Sequence, residues 1–265
     1  MPRKRIGDIE IYYEIHGDAP QTLVMIRGLG SNLLAWSEQL PELSKHFRCV
    51  LFDNRGAGRT DKPDAPYSIA QMAADTAGLL DALSIKRCAL LGISMGGMIA
   101  QEFALAYQDR LSALILGCTH SGGSSVVQPD PEMITALLAG TLATAEQQKT
   151  QLRGMFTDDA IAHRPDVIRK HEAIRSQFAA PPYSYARQAQ GVMSFDASTR
   201  LGEIRVPTMV ITGTGDRLVP PGNSRAIAER IPGATLKELP GGHLFFFEHP
   251  DLFNKAVADF VKAHP

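Results

Sequence analysis

Cysteine is scarce in this 265-residue sequence, and no apolar run is long enough to cross a membrane. The three cysteines (Cys49, Cys88 and Cys118) are too few for a disulfide scaffold, and each lies in or at the end of an apolar, strand-like run. The basic first five residues are not followed by the apolar stretch of a signal peptide. These absences predict a cytoplasmic protein with buried free thiols and without a disulfide or a metal site.

The sequence also lacks an excess of either charge. Its 27 basic and 28 acidic side chains give a formal net charge of −1, and its isoelectric point is near 6.7. Neither a nucleic acid nor an anionic membrane is therefore an expected partner. With 44% hydrophobic residues, the chain is long enough for one large α/β domain, with or without an insertion.

What the sequence does contain is a regular alternation of strands and helices. An antiparallel hairpin is expected from Ile6 to Ile15, turning near residues 7–8. The strands from residue 22 to residue 117 are continuous apolar runs, which is typical of a parallel sheet covered by helices on both faces. The predicted strands are residues 22–26, 49–52, 88–91, 113–117, 208–212 and 235–239, and the predicted core helices are residues 34–43, 68–83, 98–105, 223–231 and 252–261.

The alternation stops between Thr119 and Glu203, where helical patterns continue but no buried-strand run occurs. Prolines punctuate this tract, and four helices are expected, at residues 132–142, 145–155, 165–178 and 183–193. A separate second domain is one interpretation, but the chain returns to the same sheet afterwards. We therefore predict a helical cap over the C-terminal edge of the sheet, residues 120–203, inserted into an α/β core of residues 1–119 and 204–265.

One strand–turn–helix junction carries the clearest chemical signal. Residues 92–96 read G-x-S-x-G, with an apolar strand before them and a helical pattern behind them. Glycines two residues before and after Ser94 permit a turn that is too tight for side chains, and the following helix N-terminus favours negative charge near the exposed hydroxyl. This context predicts a nucleophilic serine at position 94 rather than an ordinary glycine-rich turn.

A serine nucleophile needs a base and an orienting acid, which this type of junction takes from later strand ends in the order serine, acid, histidine. Asp216 is the first acid after the penultimate predicted strand, and we predict that it orients the base. His243 follows the last predicted strand through two glycines and is the predicted base. Of the other histidines, His120 is placed near the site but precedes any acid, whereas His171 is expected on a solvated helix surface.

The negative charge of an acyl-transfer intermediate needs backbone N–H donors, which form an oxyanion hole. Met95, the residue after the nucleophile, is one expected donor. Leu29, in the loop after the strand 22–26, is the other, and Gly28 and Gly30 on either side permit close approach of its backbone. The predicted site therefore needs neither a cofactor nor a metal ion.

These motifs together resemble the α/β-hydrolase superfamily. The resemblance rests on the Ser94 junction, residues 52–58 (FDNRGAG), the Asp216 loop (GTGD) and the His243 loop (GGH), and it spans nearly the whole chain. It implies an α/β-hydrolase fold, with an eight-stranded, mostly parallel sheet, helices on both faces and a helical cap inserted after the sixth strand. Residues 156–178 resemble the branch of small capped carboxylesterases and 3-oxoadipate enol-lactonases.

The function that this resemblance implies is hydrolysis of a small carboxylic ester or lactone through an acyl-enzyme. Serine at position 94 disfavours the dehalogenase and epoxide hydrolase branches, which use aspartate there. Three alternatives stay open: a carbon–carbon hydrolase or perhydrolase with the same triad, a signalling protein that binds a ligand and hydrolyses it slowly, and a structural protein with a dead site. The complete triad argues against the last of these.

Arg27 departs from the pattern, because members of that superfamily commonly carry histidine at this position. Its guanidinium could clamp a substrate carboxylate with two hydrogen bonds, as an acidic enol-lactone would require. Alternatively, Arg27 could pair with Asp53 or Glu248 and brace the oxyanion loop. Because an unpaired buried cation is costly, we favour the brace.

Overall fold

An eight-stranded sheet with helices on both faces forms the centre of the computed structural model, which describes residues 2–265. The strand order is β1-β2-β4-β3-β5-β6-β7-β8, and only the pairs β1–β2 and β2–β4 are antiparallel. The predicted fold is thereby confirmed. The strands are β1 (Arg3–Ile6), β2 (Ile9–His16), β3 (Thr22–Ile26), β4 (Arg48–Phe52), β5 (Cys88–Ile93), β6 (Leu111–Gly117), β7 (Thr208–Gly213) and β8 (Thr235–Leu239).

Eleven α-helices occur within residues 2–265, together with four short 3₁₀ segments (Leu33–Trp36, Gln108–Arg110, Gly140–Leu142 and Leu201–Glu203). None of these helices combines the length and the apolar character needed to span a bilayer. The helices are α1 (Leu40–Leu43), α2 (Ile69–Ala82), α3 (Met95–Tyr107), α4 (Pro131–Ala139), α5 (Ala145–Met155), α6 (Asp158–His163), α7 (Pro165–Ser176), α8 (Pro182–Met193), α9 (Gly222–Arg230), α10 (Phe245–Glu248) and α11 (Pro250–Lys262).

The helix predicted at residues 34–43 is instead two short pieces, the 3₁₀ segment Leu33–Trp36 and α1. Pro41 explains the break, because proline lacks the N–H that would continue a helix and its ring clashes with the preceding turn. Two further helices, α6 and α10, were not predicted from the sequence and are six and four residues long. Helices this short contain too few turns for a periodic apolar pattern to identify them.

Side chains that alternate along the strands supply two separate apolar cores. Val24 and Leu90 face one core, which is closed by α2, α3 and α9. Met25 and Leu91, their neighbours in sequence, face the other core, which is closed by α10 and α11. Burial on both faces explains why these strands are continuous apolar runs.

Helices α4–α8 lie between β6 and β7, in the tract predicted to form a cap. Three hydrogen bonds from α8 attach this tract to loops at the C-terminal ends of β3 and β4. Gln188 accepts from the Gly30 N–H (2.9 Å) and donates to the Arg55 carbonyl (2.7 Å), while Ser184 donates to the Gly56 carbonyl (2.6 Å). The division of the chain into a cap and a core stays a prediction.

Candidate active site

Ser94 lies at the junction of β5 and α3 with an unusual backbone conformation, φ 58° and ψ −122°. A positive φ is costly for a residue with a side chain, and such strain is concentrated at functional sites. The flanking glycines make the turn possible. A Cβ atom at Gly92 would lie 2.1 Å from the Gly96 carbonyl oxygen, and one at Gly96 would lie 2.3 Å from the Ile26 carbonyl oxygen.

Asp216 and His243, which are 27 residues apart in the sequence, form a buried hydrogen-bonded pair. His243 Nδ1 lies 2.8 Å from Asp216 Oδ2, and both residues are only 3% exposed. The other carboxylate oxygen accepts hydrogen bonds from the backbone N–H groups of Leu218 (2.9 Å) and Val219 (2.8 Å). Because a carboxylate only accepts, it holds the Nδ1–H tautomer of His243 and leaves Nε2 free to accept a proton.

The loop that carries His243 is fixed from two directions. Gly241 has φ +117°, a conformation that favours glycine, and its carbonyl accepts from the Gly215 N–H in the Asp216 loop (2.8 Å). On the other side, the Leu244 N–H donates to the carbonyl of Met155, at the end of α5 (2.8 Å). The position of His243 therefore depends on α5 as well as on the sheet.

Cys118 is a neighbour of this pair that the sequence analysis did not predict. It is a buried residue directly after β6, and its sulfur, an Asp216 oxygen and a His243 nitrogen all lie within 4.8 Å of one another. Burial lowers the pKa of His243, but Asp216 and Cys118 outweigh that effect and raise this pKa well above the usual 6.5. The same three atoms could also ligate a soft metal ion such as Zn²⁺.

Ser94 and His243 line the same cavity, which has a volume of about 200 Å³. No hydrogen bond joins the Ser94 hydroxyl to His243 among the described residues, 2–265. Catalytic hydrogen bonds are often long in unliganded enzymes and shorten only when substrate binds. The structure thus places two of the predicted triad residues, Ser94 and His243, at one cavity, and the third, Asp216, is hydrogen-bonded to His243.

The two predicted oxyanion donors, Leu29 and Met95, line this cavity as well. Met95 is the first residue of α3, where helix geometry provides no intrahelical acceptor for its N–H. The Leu29 N–H donates to no acceptor within the described part of the chain. A Cβ atom at Gly28 would lie 3.0 Å from Ser94 Cβ, which shows how closely the Leu29 loop approaches the nucleophile. Both amides are therefore available to a ligand at Ser94.

The pairing predicted for Arg27 is wrong. Asp53 instead accepts from the backbone N–H groups of Leu33 and Arg59 (2.7 Å each), and Glu248 accepts from the Gly242 N–H (2.7 Å). Both carboxylates therefore accept from backbone N–H groups that would otherwise lack an acceptor.

The expected position of His171 on a solvated surface is also wrong. This residue of α7 lines the cavity, and its ring packs edge-on against Phe156 (5.4 Å between centroids) and Phe247 (5.8 Å). Burial, with smaller contributions from the cations Arg27 and Arg175, lowers its pKa to about 3. His171 is therefore neutral at physiological pH.

His120 also lines the cavity, as the sequence suggested. Its Nδ1 accepts from the Gly122 N–H (3.1 Å), so its Nε2 carries the proton. Burial lowers the pKa of His120 to about 4. This residue therefore offers a neutral donor and is not linked to an acid, in contrast to His243.

Comparison with known proteins gives related folds along the whole chain. A family model described as the alpha/beta hydrolase fold matches residues 21–250. The chain is 30% identical over 263 residues to a putative carbamate hydrolase RutD of Azorhizobium caulinodans (98% of each chain). It is 27% identical over 256 residues to 3-oxoadipate enol-lactonase 2 of Acinetobacter baylyi (96% of this chain and 94% of the relative). The crystal structure of an enol-lactonase from Burkholderia xenovorans LB400 is similar, with a TM-score of 0.88, 32% identity and coverage of 98% of this chain and 100% of the other.

Proposed function

Because the chain belongs to the alpha/beta hydrolase fold family, we propose that it is a serine hydrolase that cleaves a small carboxylic ester or lactone through an acyl-enzyme. The observation that carries the proposal is the strained junction at Ser94, whose cavity is also lined by His243, the buried hydrogen-bond partner of Asp216. Relatives named enol-lactonase and carbamate hydrolase support hydrolysis of an acyl group.

In the proposed mechanism, Ser94 Oγ attacks the substrate carbonyl carbon while His243 Nε2 accepts the hydroxyl proton. The Asp216 carboxylate stabilises the imidazolium that forms. The carbonyl oxygen becomes an oxyanion, which accepts hydrogen bonds from the N–H groups of Leu29 and Met95. His243 then gives its proton to the departing alkoxide, and the acyl group stays bound to Ser94.

Hydrolysis of the acyl-enzyme repeats these steps with water as the nucleophile. His243 removes a proton from the water, the hydroxide attacks the acyl carbon, and Ser94 leaves with the proton returned by His243. The products of an ester are a carboxylic acid and an alcohol, whereas a lactone gives a single hydroxy acid. No step needs a group other than these side chains, the two amides and water.

A carbamate is the second candidate substrate, because the relative that is 30% identical carries the name putative carbamate hydrolase. As in an ester, its carbonyl carbon is bonded to the leaving group through a heteroatom. The same nucleophile, base and oxyanion donors would therefore cleave it. Nitrogen donation makes a carbamate carbonyl less electrophilic than that of an ester. We therefore expect esters and lactones to be cleaved faster.

The test is a panel of p-nitrophenyl esters of graded chain length, several lactones and a carbamate, assayed with wild type and Ser94→Ala. We expect Ser94→Ala to reduce kcat/KM on the order of 10⁴-fold while remaining folded. A serine-directed phosphonate should label wild type at Ser94. Ser112→Ala, which alters a buried serine within β6, is the matched control and should be labelled like wild type. Labelling of another residue, or full activity of Ser94→Ala, would refute the proposal.

A further inference from the structure

Arg27 is a buried cation without an acidic partner among residues 2–265. Its residue is 4% exposed, and Nη1 is buried without a hydrogen-bond partner. Within residues 2–265 the only hydrogen bond of the guanidinium joins Nε to the Ser31 hydroxyl, at a long 3.3 Å. No acidic oxygen in this part of the chain lies within 4 Å of it. Most N–H donors of the guanidinium therefore have no acceptor among these residues.

Two neighbouring aromatic rings contact the guanidinium. The Arg27 Cζ atom lies 4.8 Å from the centroid of Trp36 and 4.9 Å from that of Phe246. Such contacts attract the cation to each ring face, but an aromatic ring does not satisfy N–H donors as an acceptor oxygen does. Burial accordingly lowers the pKa of Arg27 to about 10, so it remains a cation at neutral pH. The rings therefore stabilise the cation without supplying an acceptor oxygen for its donors.

A buried arginine is ordinarily paired with an acid, but no Asp or Glu lines the surrounding cavity in the described part of the chain. Arg175 lines it as a second cation, and His171 beside Arg27 is neutral. A cavity that contains cations and no acid favours an anionic ligand. A buried arginine fork is best matched by a planar carboxylate, which can accept two parallel hydrogen bonds.

The position of Arg27 in the chain relates this anion site to the reaction. Arg27 directly precedes Gly28, which packs against Ser94, and lies two residues before the proposed oxyanion donor Leu29. The residues directly after β3 thus supply both the guanidinium and a proposed donor to the carbonyl oxygen of the substrate. A substrate bound at Ser94 and Arg27 together needs an electrophilic carbonyl and a carboxylate in one molecule.

We propose that Arg27 binds a carboxylate on the acyl part of the substrate. The preferred substrates are then monoesters of short dicarboxylic acids, or lactones that carry a carboxylate. This assignment rests on the proposed serine hydrolase function and adds to it the chemical class of the acyl group. It also gives the buried cation the partner that the protein itself does not supply.

The test compares two esters that differ only at the far end of the acyl chain, mono-p-nitrophenyl glutarate, which ends in a carboxylate, and p-nitrophenyl pentanoate, which ends in a methyl group. Wild type should have the higher kcat/KM for the glutarate monoester. Arg27→Gln should lower the glutarate-to-pentanoate ratio of kcat/KM on the order of 10- to 100-fold, the range for a lost hydrogen bond to a charged group. Arg27→Lys should recover only part of this ratio, because an ammonium lacks the planar fork.

Arg59→Gln is the matched control. Arg59 also stacks on two aromatic rings, those of Tyr12 (3.7 Å) and Phe178 (4.8 Å), but it does not line the cavity. Its substitution should leave the glutarate-to-pentanoate ratio at the wild-type value. An equal fall of this ratio in Arg59→Gln and Arg27→Gln would show a general loss of structure and would overturn the assignment.

Two further outcomes separate this inference from the proposed function. Hydrolysis of both esters that depends on Ser94, with no preference of wild type for the glutarate monoester, overturns only the carboxylate assignment. This comparison needs only wild type and Ser94→Ala, so it is decisive even where Arg27→Gln does not fold. Hydrolysis that persists in Ser94→Ala overturns the proposed function instead.

Discussion

Protonation of His171 should destabilise the folded protein at mildly acidic pH. The ring lies between Phe156 and Phe247, with Arg27 and Arg175 nearby, so the folded protein strongly resists a positive charge there. The folded-state pKa is about 3, against a usual value of 6.5. Below pH 6.5 the unfolded chain therefore binds a proton that the folded protein does not bind, and the free energy of unfolding falls as the pH falls.

The size of this effect follows from the two pKa values. At pH 5 an unfolded-state histidine is almost fully protonated and His171 in the folded protein is almost fully neutral. The difference in proton binding amounts to about 2 kcal/mol of lost stability between pH 7 and pH 5. Because the ring is only partly shielded from solvent, we expect a measured value of about 1 to 2 kcal/mol.

Urea unfolding of wild type and His171→Gln at pH 7 and pH 5, followed by circular dichroism, measures the effect. Glutamine does not titrate, so the variant should lose about 1 to 2 kcal/mol less stability than wild type between the two pH values. Because the loss of stability between the two pH values is compared, any effect of the substitution on packing that is the same at both pH values cancels. His163→Gln is the control, because the His163 side chain is 71% exposed, and it should behave like wild type. If His171→Gln loses as much stability as wild type, protonation of His171 does not destabilise the folded protein.

Two further predictions concern the reaction. Because the base must be neutral and the pKa of His243 is raised, kcat/KM should rise with pH through an apparent pKa above 6.5. A pH profile of kcat/KM that is flat from mildly acidic to mildly alkaline pH would contradict His243 as the base. Asp216→Asn should lower kcat far more than it weakens substrate binding. Substitutions at Leu138, Met155 and Met193, which line the cavity from the α4–α8 tract, should change the relative rates of p-nitrophenyl esters of different chain length. Unchanged relative rates would show that this tract does not shape the acyl pocket.

Much of the fold could be predicted because each strand and helix is encoded in a local pattern. The strands predicted at residues 22–26 and 235–239 have the same bounds as β3 and β8, and the helix predicted at residues 145–155 has the same bounds as α5. The junction at Ser94 could also be predicted, because its geometry requires glycine two residues before and two residues after the serine. The order of nucleophile, acid and base in the chain follows from the sequence as well.

Only the tertiary structure decided which side chains meet across the cavity. Arg27 and Trp36 are close in sequence, but their partner Phe246 is more than 200 residues away, and the acids expected to neutralise Arg27 bind backbone N–H groups instead. His171 lies on a helix whose pattern indicated a solvated face, yet that face packs on Phe247.

Cys118 illustrates the same limit, because nothing in its local sequence distinguishes it from the two other buried thiols, Cys49 and Cys88. Its proximity to Asp216 and His243 arises because β6 lies beside β7 in the sheet, so that the loops after β6, β7 and β8 meet at one edge. A local pattern specifies backbone conformation through sterics and burial. The charge state and the partner of a buried polar group depend on the atoms that surround it, and those atoms come from distant parts of the chain.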